Sequence, residues 1–150
     1  MDAGESLRYY FLMKIPYETF EHEADIGIRG FGDSLEESFA HAAAAMYSVV
    51  VDVGNVEPRE RRSITVSAPE RDLLLVEWLN ALLAVSDIDR LVFSKFAVSI
   101  RGNELAGEAW GEPLDRMKHR PRVEVKGATY HMLHVGTEEG RFVAQCVVDV

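Results

Sequence analysis

The stretch LLLVEWLNALLAV at residues 73–85 limits the fold more than any other part of the chain. Its apolar residues leave almost no polar face. A helix of that kind cannot lie on a surface and must be covered on more than one side. The segment from about Pro69 to Ser86 is therefore expected to be a central helix. Ser67 and Glu70 have the spacing of a capping box, and Pro69 suits a first helical turn. A second helix is amphipathic. Ser34 is its expected N-cap, with Glu37 three residues later. Leu35, Phe39, Ala42, Met46 and Val49 or Val50 then recur at helical spacing. It should end near Val50 or Val51, before Asp52 and Gly54.

The remainder reads as β. Tyr17–Phe20 and Ile26–Arg29 are short strands, and Gly30 and Gly32 are expected to break the chain before the amphipathic helix. In residues 62–68, Ile64, Val66 and Ala68 alternate with Ser63, Thr65 and Ser67, the pattern of a half-buried strand. Phe96, Val98 and Ile100 alternate toward Gly102-Asn103, a two-residue hairpin turn, with residues 104–111 as the return strand. The basic run PLDRMKHRPR at 113–122 reads as an irregular crossing. Residues 123–135 are expected to form one long strand, residues 137–140 a turn, and residues 141–150 the last strand. The expected architecture is a single α+β domain over residues 13–150, two main helices packed on mostly antiparallel sheet. Residues 1–12 are left as an N-terminal extension, whose apolar Tyr9, Tyr10, Phe11 and Leu12 suggest self-association.

Charge narrows the function. Acids outnumber bases 25 to 16, a net charge of -9 in 150 residues. Such a chain repels phosphate backbones at long range, so a protein partner or a cation is the better expectation. The lone cysteine, Cys146, allows no internal disulfide, which fits a reducing compartment. No apolar run reaches the roughly 18–20 residues that span a bilayer, and the N-terminus lacks a secretory signal pattern. A soluble, cytoplasmic protein is expected. Walker, dinucleotide, GxSxG and CxxC patterns are all missing, and nothing looks like a complete catalytic set.

Two acids stand out. Asp25 lies in the strand-like run EHEADIGI, where a carboxylate is costly unless a donor, a cation or a metal neutralises it. Asp149 interrupts the last strand, QCVVDV, beside the final carbonyls and carboxylate. If the two strands were neighbours, the oxygens would suit a hard cation such as calcium or magnesium. The plainer reading makes Asp25 a turn cap and Asp149 a solvated strand end, and spacing alone does not decide. His22, three residues before Asp25, could ligate a metal, orient an acid or bond a backbone carbonyl. His131 and His134 would face opposite ways on a strand and make a poor zinc pair. His41 and His119 have no suggestive neighbours. Lys126 on its strand is either solvated, paired with a carboxylate or in contact with a partner. Asp52 could join the site or cap a loop. Cys146, which shares one strand face with Ala144 and Val148, reads as inert core.

These residues resemble the archease family. The likeness rests on YETFEHEADIGIRGFGDSLEESFAHAAAAMY at 17–47, VEVKGATYHMLHV at 123–135 and the closing VVDV at 147–150. It spans residues 14–150. Glu23 departs from it, standing where the family usually has threonine. The resemblance implies a small α+β protein that is not itself an enzyme but an accessory factor of the RtcB-type tRNA-splicing RNA ligase. It would promote guanylylation of the ligase and its multiple turnover, touching RNA only through that partner. The family's metal-binding acids, often holding calcium, map onto Asp25 and Asp149, with Val150 contributing through its backbone. The lysine needed for activation maps onto Lys126, and His22, which opens the family's histidine-threonine-alanine-aspartate motif ending at Asp25, is expected with it as an activation or partner contact. An alternative role within the family is a chaperone-like modulator of RNA or DNA methyltransferases.

Overall fold

The structure, a computed structural model, describes Gly4 and residues 15–150. The expectations for the extension and its self-association lie outside the described residues. The elements, in chain order, are β1 (Tyr17–His22), β2 (Asp25–Gly32), α1 (Leu35–Val50), β3 (Glu60–Ser67) and α2 (Leu73–Asp89). They continue with β4 (Leu91–Arg101), β5 (Glu104–Pro113), the single turn α3 (Arg116–His119), β6 (Gly127–Ala128), β7 (His134–Glu138) and β8 (Arg141–Asp149).

The strands form two antiparallel sheets. One runs β1-β2-β8-β6, with β7 also paired to β8; the other runs β3-β5-β4. Both long helices touch strands of both sheets and make a middle layer between them. The apolar α2 is placed accordingly. Leu74, Leu75, Val76, Trp78, Leu79 and Leu82 are buried, and the exposed stripe is confined to Glu77, Asn80, Ala84 and the last turn. Side-chain hydrogen bonds tie the helices together, among them one between the Tyr47 and Ser86 hydroxyls. Trp78 Nε1 donates to Phe39 O at 3.2 Å, and the Tyr47 hydroxyl donates to Leu82 O at 3.1 Å.

Ser34 caps α1 as expected, accepting from the Glu37 N–H at 3.1 Å. Glu37 reaches back one residue further than a regular capping box, to the Asp33 N–H at 3.4 Å. The glycines before α1 do not break the chain. A side chain at Gly30 would sit 2.2 Å from Ser38 O and Ala42 N, so the bare backbone lets β2 run directly under the helix. The Gly102-Asn103 hairpin forms as read, with Arg101 opposite Glu104 and Gly102 at φ 58.

Other expectations fail. The Ser67–Glu70 box does not cap α2, because Ser67 stays in β3, paired with Glu104. Turns carry the chain to Leu73, whose N–H reaches Glu70 O at 3.2 Å. At its other end α2 runs past Ser86 to Asp89 and stops at Arg90, in the left-handed region at φ 55. The long strand over 123–135 is interrupted. Met132 at φ 53 and the Leu133 N–H to Tyr130 O bond at 3.2 Å turn the chain, leaving only β6 and the start of β7 in the sheet. The crossing at 113–122 holds one helical turn, α3. Its first free N–H groups, from Met117 and Lys118, donate to Asp115 Oδ1 at 3.0 and 3.2 Å.

Candidate functional site

The β1–β2 hairpin turns on Glu23 and Ala24, with Glu23 at φ 55. A residue other than glycine is uncommon there. The turn sets His22 directly opposite Asp25. On its other side β2 pairs with β8, Ile26 opposite Val148. That ladder ends there; carried one step further, its register sets Asp25 opposite Asp149. Asp149 in turn faces Gly127 of β6. One row across four strands thus reads His22, Asp25, Asp149, Gly127. Directly opposed antiparallel residues point to the same side of a sheet, with Cβ atoms roughly 4.5–5.5 Å apart. The helices cover the alternate side, where Ile26, Ile28, Cys146 and Val148 join the core. His22, Asp25 and Asp149 therefore share the side turned away from the helices.

Asp25 is half-buried at the start of its strand, rather than buried in the middle of one. Its Oδ1 accepts the Val150 N–H at 3.2 Å. Asp149 is exposed, while its carbonyl accepts the Lys126 N–H at 2.8 Å. The Lys126 side chain is exposed. All five residues singled out in the sequence, His22, Asp25, Lys126, Asp149 and Val150, meet at one end of the first sheet. Among the described residues no three His, Cys, Asp or Glu side chains converge as a metal cluster would. The acid donors here are two carboxylates and neighbouring backbone oxygens, all hard ligands, which fit an oxygen-seeking cation better than zinc.

Two supports of this end were not legible beforehand. His131 lies in the turn after β6, not on a strand, and its ring meets that of His22 edge-on at 4.7 Å between centroids. Asn80 reaches out of α2 and holds β6. Its Nδ2 donates to Ala128 O at 3.1 Å, and its Oδ1 accepts the Ala128 N–H at 2.8 Å. The amide occupies the place where another strand would pair, two residues from Lys126. A polar residue inside LLLVEWLNALLAV was the available signal. Asp52 does not belong here. It holds the loop after α1, accepting from Asn55 Nδ2 at 3.0 Å. Cys146 is buried, and burial pushes its thiol up to about 12, so it is inert.

His119, which showed no neighbours in the sequence, is fully buried in a second polar cluster. The Asp115 N–H donates to its Nδ1 at 2.9 Å, so the proton sits on Nε2, which donates to Glu112 Oε1 at 2.7 Å. The same oxygen takes Lys118 Nζ at 2.8 Å and the Glu57 N–H at 3.2 Å. Hydrogen bonds from Lys118 and then His119 hold the Glu112 carboxyl down to about 2. Lys118 is raised in return.

A two-sheet α+β protein whose opposed acids lie on the row that ends one sheet is the class these features define. The description "Archease protein family" fits residues 17–150 as a family model. The chain belongs to the archease family. It is 45% identical over 139 residues to a protein archease of Pyrococcus abyssi, covering 89% of this chain and 98% of that one. A protein archease of Sulfurisphaera tokodaii is 40% identical over 136 residues, covering 89% and 98%. Among solved structures, protein 1598 of Methanobacterium thermoautotrophicum superposes with a TM-score of 0.79 at 37% identity, covering 90% and 99%. An archease of Thermotoga maritima described as a possible chaperone shares the fold, with a TM-score of 0.54 at 18% identity. No helix among the described residues is long and apolar enough to cross a membrane.

Proposed function

We propose that this chain is a non-catalytic accessory protein of an RtcB-type tRNA-splicing RNA ligase. It promotes guanylylation and multiple turnover of that enzyme in the cytoplasm, without binding RNA on its own. The observation that carries the reading is the shared row of Asp25 and Asp149 with Val150 and Lys126 at its edge. Two carboxylates facing each other across a ladder are unfavourable without compensation. The Val150 N–H supplies part of it. A divalent cation, calcium by family resemblance, would supply the rest, held by Asp25, Asp149 and backbone oxygen of Val150. Bound there, it would offer positive charge to a triphosphate. The chain's own residues do the positioning. Asp25 fixes Val150, Asp149 fixes Lys126 through its backbone, and the exposed Lys126 ammonium is free to meet a phosphate or a ligase carboxylate. His22 braces the hairpin against His131.

The test is multiple-turnover RNA ligation by the cognate ligase, with and without this protein, following the guanylylated enzyme. Faster guanylylation, lost in folded Asp25→Ala and Asp149→Ala proteins, is the expected result. No effect on an active ligase would discard the reading in favour of a chaperone-like modulator of methyltransferases.

A further inference from the structure

The segment 114–122, LDRMKHRPR, has four bases and one acid on a chain of net charge -9. Its base is fixed. His119 is buried, the Asp52 N–H donates to His119 O at 2.8 Å, and the Arg122 N–H donates to Val50 O at 2.8 Å. Lys118 is spent inward on Glu112. What faces outward differs. Met117 is 91% exposed and Leu114 is 41% exposed. Arg116 and Arg120 sit one helical turn apart, both exposed, and neither forms an ion pair among the described residues. A single exposed methionine is ordinary. A methionine held on a rigid turn, between two unpaired guanidinium groups, on a chain otherwise rich in acid, is not explained by stability.

We infer that residues 114–120 are a docking surface for an acidic protein surface with an apolar recess, in which Met117 enters the recess and Arg116 and Arg120 pair with carboxylates at its rim. Charge complementarity selects the partner. Guanidinium groups match carboxylates in bidentate fashion, and the repulsive bulk charge of the chain disfavours nucleic acid. The segment also lacks an aromatic residue on which a base would stack. Because the turn is fixed from beneath, little conformational freedom is lost on docking. Four residues beyond Arg122 the chain reaches Lys126, so one partner could cover both. The partner is here taken to be the RNA ligase, which rests on the function proposed above.

The experiment measures binding of the full chain to the cognate ligase at several salt concentrations, for wild type, R116E/R120E and M117D. Reversing the two charges should slow association about tenfold and flatten its salt dependence. The methionine change should speed dissociation about tenfold, as loss of an anchor does. Variants that bind like wild type would overturn the docking surface while leaving the activator role intact. Failure of wild type to bind the ligase at all would overturn both. If the variants instead lose affinity for RNA alone, measured without ligase, the surface is a nucleic-acid contact and the inference falls.

Discussion

The molecule holds two clusters of charged and polar side chains, and they are built in opposite ways. Around Glu112 every strong group has a partner inside the protein: the carboxylate takes Lys118, His119 and a backbone N–H, and the imidazole uses both nitrogens. Around Asp25 and Asp149 the bonds run mostly to backbone, and the carboxylates and the Lys126 ammonium keep capacity to spare. A closed network fastens loops, since removing any member strands the others. An open one is available to a ligand. Strength of interaction alone would point to the Glu112 cluster rather than to the one proposed to act.

Substitutions can set the two apart. Glu112→Ala should cost about 3–5 kcal/mol in urea unfolding, because it leaves the buried His119 Nε2–H without its acceptor and Lys118 with only the Glu57 carboxylate at 3.5 Å. Once folded, that protein should still activate the ligase. Asp25→Ala should do the reverse, costing about 1 kcal/mol for one partly exposed hydrogen bond while abolishing activation. Equal effects of both changes on both readouts would erase the distinction. Asn80→Leu sharpens it further. Loss of the two bonds to Ala128 should cost about 1–2 kcal/mol and lower activation by loosening the strand beside Lys126, with the Glu112 network untouched.

Acid gives a smaller test. The Glu112 carboxyl titrates near 2 when folded and near 4.5 when free. A depressed carboxyl favours the folded state above its unfolded value and loses that contribution as pH falls toward the folded one. Stability should therefore drop between about pH 4.5 and pH 2, and Glu112→Gln should be flatter over that window in thermal melts. The smallest expected change is a rise of a few degrees in melting temperature on adding calcium, absent from Asp25→Ala and Asp149→Ala. Equal rises in all three proteins would place the cation elsewhere.

Local signals were legible in the chain. Ser34 as a cap, the Gly102-Asn103 turn and the burial of 73–85 each depend on neighbours within a few residues. So does the oddity of Asp25 and Asp149 in apolar runs. Their facing each other is set by the register of two strands more than a hundred residues apart, which no spacing encodes. His119 was unreadable for the same reason, since Glu112 and Asp52 reach it from other elements. The expected long strand failed because alternation in 123–135 records exposure but not the turn at Met132. Gly30 and Gly32 read as breakers when they are clearances for a helix.

The order of assembly follows from the position of β8. It is the last described strand to be made, yet it lies between β2 and both β6 and β7. Until it leaves the ribosome, β2 presents an unpaired edge and α1 lacks much of one wall of its cover. The first sheet must therefore close after translation of this segment, by insertion of a strand between waiting neighbours. Nascent chains halted before residue 141 should remain protease-sensitive through β2, even where the β4–β5 hairpin has already paired.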